Sequence, residues 1–184
     1  MNLEKFNIFK VLIFFLGNPY TEVYLRELSR LLKLSPYTVS NILNILLENN
    51  LITRRRAANL IYFKANTKNL FYKHLKIAFN VKEISDSGLI DYITKNFTAI
   101  SSIVLYGSVA KGEDSSDSDL DLLVIGQKPK RLALDEFEKK LGRDISIISF
   151  KWSEWRKNAK TNKAFYLEII SDGNPLYGYL PVVK

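Results

Sequence analysis

The segment 105-LYGSVAKGEDSSDSDLDLLVIG-126 determines the fold that we predict for the second half of the chain. It contains the end of one predicted buried strand, 102–106, and the whole of another, 119–125, joined by a polar stretch that opens with Gly107-Ser108. Because side chains alternate along a strand, Asp119 and Asp121 are expected to project from one face while the leucines that alternate with them enter the core. The Gly-Ser turn is expected at the end of the adjoining strand, within reach of the same site.

A third strand and a third carboxylate follow. Residues 144–150 predict a strand that begins with Asp144, and residues 132–141 predict the helix before it. If this strand lies beside the one that carries Asp119 and Asp121, the three carboxylates form a cluster whose mutual repulsion raises their pKa values. Mg²⁺ or Mn²⁺ compensates such a cluster, because these ions prefer oxygen ligands and share them with substrate phosphates. We therefore predict that the three aspartates bind metal and act in catalysis, with two ions bracketing an in-line phosphoryl transfer.

The turn at Gly107 and Ser108 predicts the matching nucleotide-binding site. Gly107 lets the backbone approach a phosphate closely, and the Ser108 hydroxyl and neighbouring N–H groups can donate to triphosphate oxygens. Lys111 is a further predicted nucleotide contact. Two other phosphate motifs are excluded, because Glu113-Asp114 stands where a P-loop requires Lys and then Ser or Thr, and no G-x-G-x-x-G follows a predicted strand.

These residues together resemble the nucleotidyltransferase superfamily that includes DNA polymerase β, and above all its minimal prokaryotic members. The family pattern is Gly-Ser, then Asp-x-Asp on a strand, then a third Asp on a later strand, and the tail Phe165–Gly178 also resembles the end of these domains. The resemblance implies metal-dependent transfer of a nucleoside monophosphate from an NTP, with ATP as the expected donor, to an acceptor, with release of pyrophosphate. It also implies that Asp144 helps to deprotonate the acceptor hydroxyl.

The basic excess is confined to the first part of the chain. Residues 1–80 contain 12 of the 27 Lys and Arg and 4 of the 19 Asp and Glu, a net charge of +8, whereas residues 81–184 contain 15 of each. Such asymmetry favours a polyanionic partner for one domain, although a well-solvated basic surface would have the same charge pattern.

Two helices joined by a tight turn are predicted within this basic part. Thr21 can cap a first helix whose apolar positions have helical spacing: Leu25, Leu28, Leu31 and Leu32. Ser35 and Pro36 supply the N-cap and the first-turn proline of a second helix that extends to about Asn49. Its predicted buried stripe is Val39, Ile42, Leu43 and Leu46. Polar side chains near its start, which can bond to phosphates and base edges, are the predicted DNA-binding set: Tyr37, Thr38, Ser40, Asn41 and Asn44.

A basic β-hairpin is predicted directly after these helices. The runs 51–56 and 61–64 flank the four-residue loop Ala57–Leu60, and Arg54, Arg55 and Arg56 are expected near the DNA backbone. The stretch from Tyr24 to Asn66 resembles the winged helix-turn-helix domains of prokaryotic transcription regulators. This resemblance implies binding to double-stranded DNA, and a homodimer that reads two half-sites. A winged helix used only for dimerisation or protein contact is the alternative.

The predicted fold class is α+β. A winged helix domain is expected at residues 1–66, a helical connector at 67–97, and a minimal nucleotidyltransferase α/β domain with a mixed sheet at 98–184. Helices are predicted at 67–80 and 86–97 in the connector, with Val81–Gly88 as the candidate hinge between them.

Composition excludes several other classes of protein. The chain has no Cys, which excludes a disulfide scaffold, a thiolate zinc site and a cysteine nucleophile, and favours an intracellular protein. Its single His, His74, leaves little room for a Ser-His-Asp hydrolase. The apolar run Val11–Leu16 is too short to span a bilayer or to form the core of a signal peptide. We therefore expect a cytoplasmic protein without a membrane segment.

Three hypotheses for function follow from these features. The protein is an active nucleotidyltransferase carried to DNA or to a partner by its winged helix, or a DNA-binding regulator whose second domain only senses a nucleotide. Alternatively, it is the antitoxin-like member of a two-protein module and modifies a partner protein. The intact set of Asp119, Asp121 and Asp144 disfavours a purely degenerate domain.

Overall fold

The computed structural model describes residues 6–129 and 131–183, and the chain divides into two compact units, 1–79 and 80–184. The boundary lies within the segment predicted as a helical connector. Within the described ranges, no helix is both long enough and apolar enough to cross a membrane.

The first unit combines an antiparallel sheet with helices in front of it. Its elements are α1 (Asn7–Gly17), β1 (Val23–Tyr24), α2 (Leu25–Leu32), α3 (Pro36–Glu48), β2 (Ile52–Ala57) and β3 (Leu60–Ala65). The central strand is β3, which pairs with β1 on one side and with β2 on the other. The core of this unit lies between the sheet and the helices, around Val11, Phe15, Leu28 and Leu43.

The second predicted helix is confirmed in detail. The Ser35 Oγ accepts a hydrogen bond from the Thr38 N–H at 3.1 Å, and Pro36 occupies the first turn of α3. The predicted apolar stripe of this helix is buried: Val39, Ile42, Leu43 and Leu46.

The first predicted helix and the predicted hairpin have other boundaries in the structure than the sequence suggested. Thr21 does not cap α2, because Val23 and Tyr24 pair with β3 and keep the chain extended as far as Leu25. The Leu31 side chain is 59% exposed and therefore lies off the buried stripe. The hairpin loop is also shorter than predicted, since Ala57 still pairs with Leu60.

The predicted hinge at Val81–Gly88 is wrong. Helix α4 (Leu70–Ser87) continues through almost all of it, and α5 (Leu89–Asn96) begins directly after Gly88. The physical reason is burial, because Ile84 is buried in the second unit's core and Val81 packs against it. The serines and the aspartate that suggested a linker lie at the end of α4.

The second unit is built on a mixed four-stranded sheet with helices on both faces. Its remaining elements are β4 (Thr98–Tyr106), α6 (Gly107–Lys111), β5 (Leu120–Gln127), α7 (Asp135–Leu141), β6 (Ile145–Phe150), α8 (Trp152–Thr161), α9 (Lys163–Asp172) and β7 (Asn174–Gly178). The strand order is β6-β5-β4-β7, with β5 and β6 parallel and the other pairs antiparallel. The mixed sheet agrees with the prediction, whereas α8 was not predicted, since Trp155 is its only buried residue.

The two faces of this sheet have separate cores. Ile103, Leu120 and Leu122 pack on the side of α5. Leu123 packs on the opposite side together with Trp155 of α8 and Ile169 of α9. Because side chains alternate along β5, Asp119 and Asp121 belong to the face that α8 and α9 cover.

Candidate functional site

The Gly-Ser turn begins directly beside one of the predicted carboxylates. Strand β4 ends at Tyr106, whose partner on β5 is Asp121. Gly107 follows with a φ of +72°, and a Cβ atom built there would lie 2.6 Å from the Asp121 Oδ2. The backbone conformation therefore favours glycine at this position, and a Cβ atom would in addition force the Asp121 carboxylate to move.

Buried hydrogen bonds hold the turn and the loop after it. The Asn80 Nδ2 donates to the carbonyl of Val109 at 3.0 Å, and the Asn174 Nδ2 donates to that of Ala110 at 2.8 Å. The Asp114 carboxylate, 1% exposed, accepts from Asn80 at 2.7 Å and from both terminal nitrogens of Arg143 at 3.2 Å. Asp114, which is not among the predicted metal ligands, anchors the loop.

Burial and neighbouring carboxylates both disfavour negative charge at this site. Burial, and then the charges of Asp119 and Glu168, raise the pKa of the Asp121 carboxyl above its ordinary value. Burial, and then the charges of Asp121 and Glu168, raise the pKa of Tyr106 to about 12. Such repulsion between carboxylates is the condition that a bound cation relieves.

Strand register decides which side chains meet Asp121. In the parallel pair, Leu120 lies opposite Ile145, and Asp121 lies opposite Ser146. Asp144 precedes β6, so it is level with Asp119, and its carbonyl accepts a hydrogen bond from the Leu120 N–H at 2.8 Å. The β6 side chain level with Asp121 is thus a hydroxyl. Over residues 6–129 and 131–183, no three acidic or histidine side chains form a group that could hold a metal ion.

Lys111 is paired with acidic side chains, whereas the sequence predicted a contact with the nucleotide. Its Nζ lies 3.3 Å from the Glu168 Oε1 and 3.3 Å from the Asp172 Oδ2, both on α9. These two carboxylates raise the pKa of Lys111. Glu168 and Asp172 are not among the predicted site residues, although their four-residue spacing within the tail Phe165–Gly178 could have indicated a shared helix face.

A second surface, on the first unit, presents the residues predicted to bind DNA. On α3, Tyr37 is 77% exposed, and Asn41 and Asn44 are exposed as well. Thr38 and Ser40 are half-buried, and the Thr38 hydroxyl shares a hydrogen bond of 2.8 Å with Ser35. The polar side of α3 is therefore open to a partner, apart from the bond that caps the helix.

The three arginines of β2 are not equivalent. The Arg55 Nε donates to the Glu22 Oε1 at 2.8 Å, and its guanidinium lies 5.0 Å from the centre of the Tyr62 ring. Arg54 and Arg56 are exposed and form no ion pair with a described residue. Arg26 and Arg30, which are not among the predicted DNA-binding residues, line a groove that reaches Pro36 at the start of α3. The signal was available, since the two arginines are four residues apart on α2.

Comparisons with known proteins concern mainly the second unit. The family model described as polymerase beta nucleotidyltransferase matches residues 88–179. A candidate protein adenylyltransferase of Methanocaldococcus jannaschii is 32% identical over 79 residues, which is 42% of this chain and 79% of that protein.

Two solved structures are similar at low TM-scores. One is a crystal structure of a toxin-antitoxin with AMP-PNP, at 18% identity, a TM-score of 0.38, and coverage of 54% of this chain and 74% of that one. The other is TrmBL2, an archaeal chromatin protein, at 11% identity, a TM-score of 0.30, and coverage of 91% of this chain and 69% of that one. At these TM-scores neither likeness carries an argument about function.

Proposed function

The chain belongs to the polymerase beta nucleotidyltransferase family, and from this premise we propose that it transfers AMP from ATP to a hydroxyl group of an acceptor protein. The observation that carries the proposal is the fit of Gly107 against Asp121, since a Cβ atom added at Gly107 would lie only 2.6 Å from the Asp121 Oδ2. This fit puts a glycine turn suited to phosphate beside a carboxylate suited to a cation. ATP as donor and protein as acceptor are supported by the name of the M. jannaschii relative.

Asp119 and Asp121 fit Mg²⁺ or Mn²⁺, because they offer oxygen donors from one strand face. Burial, and then the charges of Asp119 and Glu168, already raise the pKa of Asp121, so a nearby cation would stabilise its charged form. Asp144, level with Asp119, is the proposed third ligand; because no three acidic side chains of the described residues form a metal-holding group, a bound ion would have to draw its carboxylate towards the other two. A bound ion would neutralise charge on the triphosphate and on the departing pyrophosphate.

The protein's own groups orient the reaction. Ser108 and the N–H groups of the turn hold the triphosphate, so that the acceptor oxygen can form its bond to the α-phosphorus as the bond to pyrophosphate breaks. The proton of the acceptor hydroxyl passes to a carboxylate of the site, and the family resemblance assigns this role to Asp144.

Calorimetry with ATP and Mg²⁺ tests the nucleotide site. Asp119→Asn should abolish binding that depends on metal, because it removes a ligand charge while preserving shape. Asp117→Asn is the matched control, since this exposed aspartate lies in the same loop and is not a proposed ligand. Equal affinities for the wild type and Asp119→Asn would refute the metal assignment.

Isotope position tests the transfer itself. The purified chain, alone and with an extract of its own cells, should incorporate label into protein from ATP labelled at the α-phosphate and not from ATP labelled at the γ-phosphate. Binding of ATP without any transfer of label would instead identify a nucleotide sensor.

We further propose that the first unit is a winged helix domain that binds double-stranded DNA, as a homodimer on two half-sites. The exposed side of α3 supports insertion of its polar residues into the major groove, and Arg54 and Arg56 on β2 are available to phosphates. Arg55 is already bound to Glu22 and is therefore the internal control.

Salt dependence of duplex binding, followed by fluorescence anisotropy, tests this proposal. Alanine at Arg54 or at Arg56 should each lower the slope of log K against log salt by about 0.9, whereas Arg55→Ala should change it less. Equal slopes for the wild type and the Arg54 and Arg56 variants would refute the role of β2. Sedimentation of the DNA-bound protein as a monomer would refute the dimer.

A further inference from the structure

Lys111 connects two elements of the nucleotide site. It is the last residue of α6, the short helix that begins at Gly107, and its ammonium lies 3.3 Å from a carboxylate oxygen of Glu168 and 3.3 Å from one of Asp172. The three side chains are 31%, 34% and 43% exposed, so these ion pairs are only partly screened by water.

The acidic partners of Lys111 are themselves held in place. Helix α9 rests on the sheet through Ile169, which is 0% exposed, and through Phe165, whose ring lies 5.4 Å from that of Tyr106. Glu168 is next to Ile169 in the chain, and Asp172 lies one turn further along the same helix. Lys111 therefore reaches towards two carboxylates whose backbone is fixed by apolar packing.

Two further side chains hydrogen-bond to α6 among the residues that the structure describes. Asn80 and Asn174 bind the carbonyls of Val109 and Ala110, which fixes the end of α6 to α4 and to the start of β7. Neither asparagine ties α6 to α9.

We propose that Lys111 is a positioning residue, whose ion pairs with Glu168 and Asp172 clamp α6 against α9 and so fix the Gly107-Ser108 turn for the triphosphate. This proposal rests on the proposed function, because fixing the turn affects activity only if the turn binds the triphosphate. Direct contact with phosphate, the role that the sequence predicts for Lys111, would have to use the third N–H of the ammonium or draw the ammonium away from a carboxylate.

A mutant cycle on ATP affinity in Mg²⁺ separates the two roles. If the clamp positions the turn, ATP binding should weaken by about fivefold in Lys111→Met, and by the same factor in the double variant of Glu168→Gln with Asp172→Asn. This is the magnitude expected for two partly exposed ion pairs. The triple variant should be no weaker than either, because all three changes remove one interaction. If the double variant leaves ATP affinity unchanged or increases it while Lys111→Met reduces it, Lys111 binds phosphate and the clamp is refuted.

Hydrogen exchange without nucleotide tests the clamp independently of ATP binding. The amides of Gly112 and Glu113, which bond back to Val109 and Ser108 at 3.3 and 3.0 Å, should exchange faster in both sets of variants. Lys111→Arg, which keeps the charge, should retain slow exchange and ATP affinity. Unchanged exchange in Lys111→Met would refute the clamp, whereas absence of ATP binding in the wild type would refute the proposed function alone.

Discussion

Gly107→Ala should damage the nucleotide site more than any similar change in an open turn. Two costs arise from the structure. An alanine at a φ of +72° is strained by about 1–2 kcal/mol. Its Cβ would also lie 2.6 Å from the Asp121 Oδ2, so Asp121 must rotate away, at a further cost of about 1 kcal/mol.

Gly142→Ala supplies the matched control. Gly142 has a φ of +67°, and a Cβ atom there would meet nothing within 4 Å. Gly142→Ala therefore introduces the backbone strain alone. The difference between the two variants in the free energy of unfolding then measures the cost of the contact with Asp121. Measured in the Asp121→Ala background, Gly107→Ala should cost only about as much as Gly142→Ala, because the clash has been removed.

Urea denaturation and calorimetry with ATP and Mg²⁺ measure the two consequences. We expect Gly107→Ala to lower the free energy of unfolding by about 2–3 kcal/mol and Gly142→Ala by about 1–2 kcal/mol, with metal-dependent ATP binding lost only in the former. The reasoning is refuted if both variants are equally destabilised and both bind ATP like the wild type.

Three further variants test other parts of the second unit. Asp121→Asn should stabilise the metal-free protein at neutral pH, because the folded state raises the pKa of Asp121 and so disfavours its charged form. Thermal unfolding in chelator measures this gain in stability, which should vanish as the pH falls through the raised pKa. A gain that stays constant with pH would contradict the prediction. Asp114→Asn should cost about 2–3 kcal/mol in urea denaturation, since the Arg143 guanidinium loses a buried carboxylate partner, and unchanged stability would contradict that anchoring. Trp155→Phe should cost about 1–3 kcal/mol, because the indole N–H, which donates to the Pro181 carbonyl at 2.7 Å, is removed from a fully buried site; a loss below about 0.5 kcal/mol would contradict it.

Local patterns allowed much of the second unit to be predicted. The apolar runs around Leu105 and Leu122 are long enough to fill central strands, and the turn at Gly107 follows from its place after a buried strand. Likewise, Ser35 and Pro36 mark the start of α3 through chemistry confined to one helical turn. The hinge was wrong because composition alone cannot show that Ile84 faces a core.

The parts of the site that depend on tertiary contacts could not be predicted. The sequence places Asp144 at the start of a strand, but only the pairing of β5 with β6 shows that Ser146 is the residue level with Asp121. Asp144 and Ser146 are two residues apart and project from the same face of the sheet, so the alternation of side chains cannot show which of them lies opposite Asp121. Glu168 is 57 positions from Lys111 in the chain, and nothing local links them.

The charges around the turn predict how nucleotide and metal depend on each other. Asp119, Asp121 and Glu168 carry negative charge at the site, and Lys111 is paired with Glu168 and Asp172. A triphosphate that approached without a cation would meet repulsion from the aspartates, and a cation without a triphosphate would lack the phosphate oxygens that complete its shell. Each therefore removes the main obstacle to the other, so we expect ATP affinity to rise steeply with Mg²⁺ concentration and Mg²⁺ affinity to rise by the same factor with ATP.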